Sequence, residues 1–317
     1  LFHANYSLNW HNCYSFGNGV ESNRVKDTFN SPFIVNGVKV STTLGENYKK
    51  ERRKSGLIYS GLYNSNSGVN NLNQFIAAEK ITKDINPIYG SIQKLHSRST
   101  ADGDLIALCE DRVLKILANK DALFNADGNP QLVATDRVLG QAEPFSGDFG
   151  ISKNPESFAS ESYRVYFTDK TRGAVIRLSK DGLTAISDAG MKDWFRDNLK
   201  LNDILTGSYD DKKNEYNITL KQVEESGSFP EGLTVSYRED VRGWVSFKSF
   251  TPENAISCAN EYYTFENANA WLHHVEQFDT ITGKEIGRNT FYYIPKDSSF
   301  EVILNESAET VKSFNTI

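Results

Sequence analysis

Methionine occurs once and cysteine three times in 317 residues. Cys13, Cys109 and Cys258 lie far apart, odd in number and without a CxxC pair. That pattern argues against a disulfide framework or a zinc ribbon. Folding is expected in a reducing setting or without regard to redox state. No stretch reaches the roughly 18 consecutive apolar residues of a membrane-spanning helix. The opening LFHANYSLNWHNCY has no basic start followed by an apolar run, so it does not read as a signal peptide. Its first residue is Leu rather than Met, and we expect the chain to be a piece of something longer. Excess positive charge is also missing. Lys and Arg number 35 against 41 Asp and Glu, giving a net charge of −6 and a pI near 5.5. This is not the basic footprint of a nucleic-acid-binding domain. The one densely basic run, YKKERRK from Tyr48 to Lys54, reads as a solvated segment, with contact to an acidic partner surface as the sharper alternative.

Motifs that carry chemistry are absent in the same way. There is no GxSxG, HExxH, P-loop or GxGxxG pattern. His273 and His274 are adjacent on an expected strand, where neighbours point to opposite faces, so they cannot both reach one metal. His3, His11 and His96 have no acidic or cysteine partner at ligand spacing. Asp127-Gly128-Asn129 lacks the alternating acids and closing Glu of a calcium loop and reads as a turn. A glycosidase needs only two carboxylates about 5–9 Å apart, and 41 acidic residues nominate no particular pair. We therefore assign no catalytic, cofactor-binding or metal-binding residue and expect no enzyme and no cofactor.

Aromatic residues, at 12%, are what the sequence does have. Tyr and Phe suit half-buried strands, and they recur between turn signals. SPFIVNGVKVSTTL, Ser31 to Leu44, reads as a hairpin turning at Asn36-Gly37. NQFIAAEKITKDINP fits neither period cleanly and is read as strand and loop. GSIQKLHSR reads as a strand, and Glu110-Asp111 turns between strands Leu105–Cys109 and Val113–Leu117. NKDALFNADGNP reads as a short helical turn capped by Asn119.

In the segment 163–199, Tyr163, Val165 and Phe167 share one strand face, and Asp169 to Gly173 turns the chain. Ile176 and Leu178 face inward on the return, and Asp181-Gly182 turns again. Met191, Trp194, Phe195 and Leu199 form an apolar helix stripe behind a cap at Asp188. On this reading Asp169 is a turn former and Asp193 a solvent-facing helix residue, although either could be asked to serve as a catalytic acid. ILTGSYDDKKNEYNITL and LTVSYREDVRGWVSFKSF repeat the hairpin pattern. Ser208-Tyr209 and Ser236-Tyr237 stand in equivalent places, and Tyr216, Ile218 and Leu220 oppose Asn217 and Thr219. Two more hairpins follow, turning at Asn267–Asn269 and Thr282-Gly283, with one helical turn opened by Thr251-Pro252.

At least five successive antiparallel hairpins imply a sandwich, barrel or propeller. The expected fold is mainly β, with β-propeller-like antiparallel hairpins and a few short helices. Residues 1–48 are expected as a polar segment with a hairpin, part of an incomplete blade or an appended region, and 49–317 as the propeller-like domain. Tyr166-Phe167-Thr168-Asp169, with Ile176-Arg177 and Asp181-Gly182, resembles a blade of the Tyr-Trp-Thr-Asp type.

Several long strings resemble tail proteins of crAss-like bacteriophages, specifically the nozzle or muzzle (stabilisation) protein of short tails. They are Ser55 to Arg98, Leu105 to Leu132, YFTDKTRGAVIRLSKDGLTAISDAGMKDWFRDNL and GSYDDKKNEYNITL, so the resemblance covers roughly residues 50–250. It implies a structural virion protein in the phage tail, built around a β-propeller. Such a protein assembles as a homo-oligomeric ring, commonly a hexamer, and meets other tail ring or hub proteins. It builds and closes the conduit through which DNA leaves without sequence-specific binding. The resemblance carries no catalytic residue. Two other readings stay open: an internal head or ejection protein, which would be more helical, and a propeller-type glycan-binding protein or glycoside hydrolase used in adsorption. Tyr262, Tyr263 and Trp271 are the aromatics that could stack on sugars, although alternating strand aromatics more often fill a core.

Overall fold

A computed structural model describes residues 54–301 and 309, apart from 60–62, 65, 67, 71–81, 98–103, 125–129, 223–231, 276 and 279–284. The expected hairpin at Ser31–Leu44, the basic run up to residue 53, and the turns at Asp127-Gly128-Asn129 and Thr282-Gly283 lie outside the described residues. The chain is mainly β, a succession of small antiparallel sheets with one α-helix among the described residues, and it divides into two units at Leu201/Asn202. No described helix is long and apolar enough to cross a membrane.

The first unit begins with two small pairs. Strand β1 (Gly56–Ile58) pairs with β4 (Thr82–Asp84), and β2 (Tyr63–Asn64) pairs with β3 (Val69–Asn70). A four-stranded meander follows: β5 (Ile92–Ser97), β6 (Leu105–Cys109), β7 (Val113–Phe124) and β8 (Pro130–Pro144). The turn at Glu110-Asp111 falls where turn chemistry placed it.

Alternation along β6 explains why both faces of this sheet are covered. Ala107 and Cys109 join Leu57, Ile85, Leu114 and Ile116 in one core. Ile106 and Leu108 face the other way, into a core shared with the next sheet. That sheet comprises β9 (Ala159–Ser160), β10 (Val165–Asp169), β11 (Ala174–Ser179) and β12 (Gly182–Ala185). It contributes Val165, Phe167, Ile176 and Leu178. Helix α1 (Lys192–Leu201) packs on β11 and buries Phe195 and Leu199.

The second unit opens with another four-stranded meander, β13 (Ile204–Asp210), β14 (Glu215–Lys221), β15 (Gly232–Arg238) and β16 (Gly243–Lys248). A three-stranded meander follows, β17 (Asn254–Cys258), β18 (Glu261–Glu266) and β19 (Asn269–Leu272). Two short hairpins come last: β20 (Gln277–Phe278) with β21 (Glu285–Ile286), and β22 (Thr290–Phe291) with β23 (Ile294–Pro295). Asn267 and Ala268, both at positive φ, make the tight turn between β18 and β19.

Local signals misled in several places. The helical turn expected after Asn119 is strand, because 120–124 pairs with Pro130–Ala134 across the arm of β7 and β8. The ladder of this hairpin overrides the helix propensity of Asp-Ala-Leu-Phe. The turn expected at Thr251-Pro252 is irregular chain leading directly into β17. Tyr163 does not share the inner face of Val165 and Phe167; it precedes the strand and is 77% exposed. Asp188 ends the 3-10 turn Ile186–Asp188, and α1 starts four residues later, so Asp188 does not stand at its cap.

At two of the described glycines an added Cβ would come within 3 Å of backbone atoms. A Cβ on Gly150 would sit 2.3 Å from the Glu110 carbonyl oxygen, where the 150–152 segment docks on the β6–β7 turn through Ile151 N–H to Cys109 O and Ser152 N–H to Glu110 O. At Gly173, with φ +67°, a Cβ would lie 2.6 Å from the Arg196 Cα of the helix. Backbone atoms cannot yield as a flexible side chain does. Gly150→Ala is therefore expected to destabilise the first unit by about 2–3 kcal/mol, the upper range for overpacking. Thermal unfolding of the variant against the parent checks this, and an unchanged midpoint would contradict the docking.

Candidate functional site

The largest concentration of buried polar chemistry lies on one face of the β13–β16 sheet. Strand β14 is buried along its whole length. Tyr216, Ile218 and Leu220 occupy one face; Glu215, Asn217, Thr219 and Lys221 occupy the other. Register sets their neighbours: Asn217 lies between Ser208 and Ser236, and Thr219 between Thr206 and Thr234. The equivalence of the two Ser-Tyr pairs follows directly, since both flank Asn217 and Tyr216.

Such a face is stable only if its polar groups find partners. Ser236 donates to Asn217 Oδ1 at 2.6 Å, and the Thr219 and Thr234 hydroxyls meet at 2.7 Å. Thr234 donates to the Phe250 carbonyl. Lys248 Nζ contacts Glu215 Oε2 at 2.6 Å and Asn217 Oδ1 at 3.1 Å, and Arg238 holds Glu215 Oε1 at 2.7 Å. The covering β17–β19 sheet and the chain after it supply the rest. Tyr262 OH meets Ser208 Oγ at 2.7 Å, Glu266 meets Lys221 at 3.4 Å, and His274 Nε2 meets Asp210 Oδ2 at 2.6 Å. Burial pushes the hydroxyls of Tyr216 and Tyr262 well above their ordinary range.

The two acids singled out in the sequence have structural partners. Asp169 is fully buried. It accepts from Gly150 N–H at 3.1 Å, Ser152 Oγ at 3.2 Å, Arg172 N–H at 3.0 Å and Arg172 Nη1 at 2.9 Å. Arg172 continues to Asp111 at 3.0 Å, so Asp169 ties its own turn to the β6–β7 turn and the Gly150 segment. Asp193 is exposed and pairs with Arg196 on the helix surface.

The histidine pair does not sit within a strand. β19 ends at Leu272, and His274 takes φ 62°. His273 is buried, bonded to Thr264 Oγ1 at 2.8 Å and set against Phe250 at 4.7 Å. His96 packs on Phe158 at 5.2 Å; burial, with Lys94 nearby, lowers its pKa. Among the described residues no three His, Cys, Asp or Glu side chains converge as a metal site.

The proposed sugar-stacking trio is not assembled as a unit. Tyr262 is core, Tyr263 faces the other side of the sheet with its hydroxyl on Glu261, and Trp271 packs against Tyr292 and Tyr293. Sequence reasoning missed Tyr292, Tyr293 and the Asp210–His274 pair, whose 64-residue separation left no local signal.

Polar side chains here join turns to turns and sheets to sheets, which defines a structural β scaffold. A family profile described as Crassvirus muzzle protein matches residues 8–268, and the chain belongs to that family. Membership implies a structural role in a phage tail. A search of curated proteins gave no match.

Two tests follow from the polar face. Lys248→Met removes one of the two cations on Glu215 and is expected to cost about 2–3 kcal/mol, less than the ~3–5 kcal/mol for breaking a fully buried pair, because Lys248 retains some solvent contact and Arg238 stays on Glu215. Denaturant unfolding measures this; a loss below about 0.5 kcal/mol, typical of an exposed pair, would contradict it.

The second test is acid. Burial, reinforced by His274 and Lys248 and opposed by Asp210, pushes His273 down to about 4. In the unfolded chain it titrates near 6.5, so between those values the unfolded state binds the extra proton. The His273 contribution is full above pH ~6.5 and is lost as pH falls toward ~4. At Asp210, burial alone would raise the pKa; His274, the Lys213 amide and Lys248 outweigh it and hold the carboxyl below its ordinary value. Its contribution is therefore lost only at lower pH still. His273→Phe is expected to flatten the stability profile between pH 6.5 and 4, read from thermal midpoints across that range.

Proposed function

We propose that the chain is a non-enzymatic, ring-forming component of the tail nozzle in the virion, and that it builds and closes the conduit through which DNA leaves. The family match over residues 8–268 carries this reading. The architecture supports it: three four-stranded antiparallel meanders follow in chain order, then a three-stranded one, as successive blades of a β-propeller would. In this reading residues 1–48 are an appended region or part of an incomplete blade, and 49–317 form the propeller.

Its partners are further copies of the chain, six in a ring, together with other ring or hub proteins of the tail. A net charge of −6 suits a conduit that must not grip its cargo, since holding the phosphate backbone requires cations. DNA then passes without sequence-specific contact. Buried polar contacts between sheets suit a part that must keep its shape under load.

Brief amine crosslinking of purified virions, followed by immunoblotting for this chain, tests the ring. A ladder ending at six copies is expected. A chain that crosslinks to no copy of itself would contradict the proposal.

A further inference from the structure

An open cleft of about 730 Å³ lies in the first unit, between the 3-10 turn Pro87–Tyr89, the Ser152–Asn154 segment and the β10–β11 turn. That volume falls within the range of about 300–1,000 Å³ that holds ligand-sized groups. Its walls are tied together: Asp111 N–H donates to Tyr89 O at 3.0 Å, and Ser152 N–H to Glu110 O at 2.9 Å. Lys153, Lys170 and Lys200 line it from the segment after Gly150, the β10–β11 turn and the last turn of α1. Two carboxylates also line it, and both are already held. Asp111 pairs with Arg172 at 3.0 Å, and Glu110 accepts from the Ser91 amide and hydroxyl. Lys153 comes no nearer to Glu110 than 4.0 Å. Arg172 also holds the buried Asp169, so four cations stand against three carboxylates. The cleft carries a positive excess in a chain whose net charge is −6.

Its apolar part is uncovered as well. Pro87 and Ile88 line the same cleft, and Ile88 is 78% exposed. Lysines alone would suit any anion, including the phosphates of DNA. An uncovered Ile beside them selects an anion that carries apolar side chains, because only such a partner gains from burying it. The chain itself holds a segment of that character. Residues 296–301, just beyond β23, are all exposed, with Phe300 at 91%, so this stretch is not seated in a groove of its own chain. In sequence, Phe300 opens an apolar run with Val302, Ile303 and Leu304. Asp297, Glu301, Glu306 and Glu309 flank that run, and no Lys or Arg occurs from 297 to 311. The segment lies beyond the residues that the family profile matches.

We propose that the acidic segment following β23 of one copy seats in the cationic cleft of the next copy, with Phe300 against Ile88 and the flanking acids on the lysines. This seat rests on the ring proposed above and supplies the link between neighbouring copies. Two different surfaces meet in it, and such heterologous contacts are the kind that generate rings. Opposite charge at the contact also offsets the repulsion between copies that each carry a net charge of −6.

The test titrates a labelled peptide copying residues 296–311 with dilute full chain, followed by fluorescence anisotropy. Saturable binding that weakens with added salt is expected. Lys153→Glu with Lys200→Glu, both at exposed positions, should lower the affinity about tenfold, equivalent to about 1.4 kcal/mol. A peptide carrying Asp297→Lys and Glu301→Lys should recover the affinity on that variant. Seating between copies is read separately, with a photoreactive benzoylphenylalanine in place of Phe300 in a mixture of heavy-isotope and ordinary chains. Photocrosslinks that join a heavy to an ordinary chain at Pro87–Ile88 or Ser152–Asn154 are expected. No peptide binding, binding indifferent to the charge reversals, or crosslinks confined to one chain would overturn the proposal. A virion ladder reaching six copies alongside any of these results would leave the ring standing and reject this seat alone.

Discussion

The buried polar face of the β13–β16 sheet is the constraint on which the second unit depends. An apolar face is forgiving, because the hydrophobic effect has no direction. A buried face of hydroxyls, an amide and charges is not, because each group needs a partner at hydrogen-bond distance. A one-residue slip of β14 would exchange Tyr216, Ile218 and Leu220 with Asn217, Thr219 and Lys221. It would strand Glu215 from both Lys248 and Arg238. The same groups also position the covering sheet, since Tyr262, Glu266 and His274 reach across to Ser208, Lys221 and Asp210. Register and sheet-to-sheet placement are thus set by one set of contacts.

The first unit solves the same problem differently. Its two larger sheets share an apolar core, while polar chemistry is concentrated at the strand ends, where Asp169 gathers Gly150, Ser152 and Arg172, and Arg172 reaches on to Asp111. In both units polar residues serve as fasteners. This explains how a chain with 38% apolar residues covers its sheets. It also accords with the structural role in a phage tail that the family implies. The β22–β23 turn differs: Tyr292 and Tyr293 stand there at positive φ, and Tyr293 is 82% exposed.

Much of the fold was legible because hairpins announce themselves locally. Alternation in Tyr216–Leu220, the acidic turn at Glu110-Asp111 and the stripe of Phe195 and Leu199 each record a neighbour close in sequence. What was not legible depended on partners outside the segment itself. Asn217 and Thr219 read as the polar face of a hairpin, and nothing nearby says that Lys248 and the covering sheet enclose that face. Asp-Ala-Leu-Phe after Asn119 reads as helix until the returning strand is present to pair with it. The Asp210–His274 contact spans 64 residues. The family was legible from long runs of unusual sequence, which owe nothing to periodicity; the strained Tyr292-Tyr293 turn gave no sign, because neither residue favours such a turn.

The most direct test of a structural role in the tail is immunogold electron microscopy of intact phage with antibody raised against this chain. The account predicts gold confined to the distal end of the tail. Gold on the capsid, or particles that stay unlabelled until they are disrupted, would contradict it.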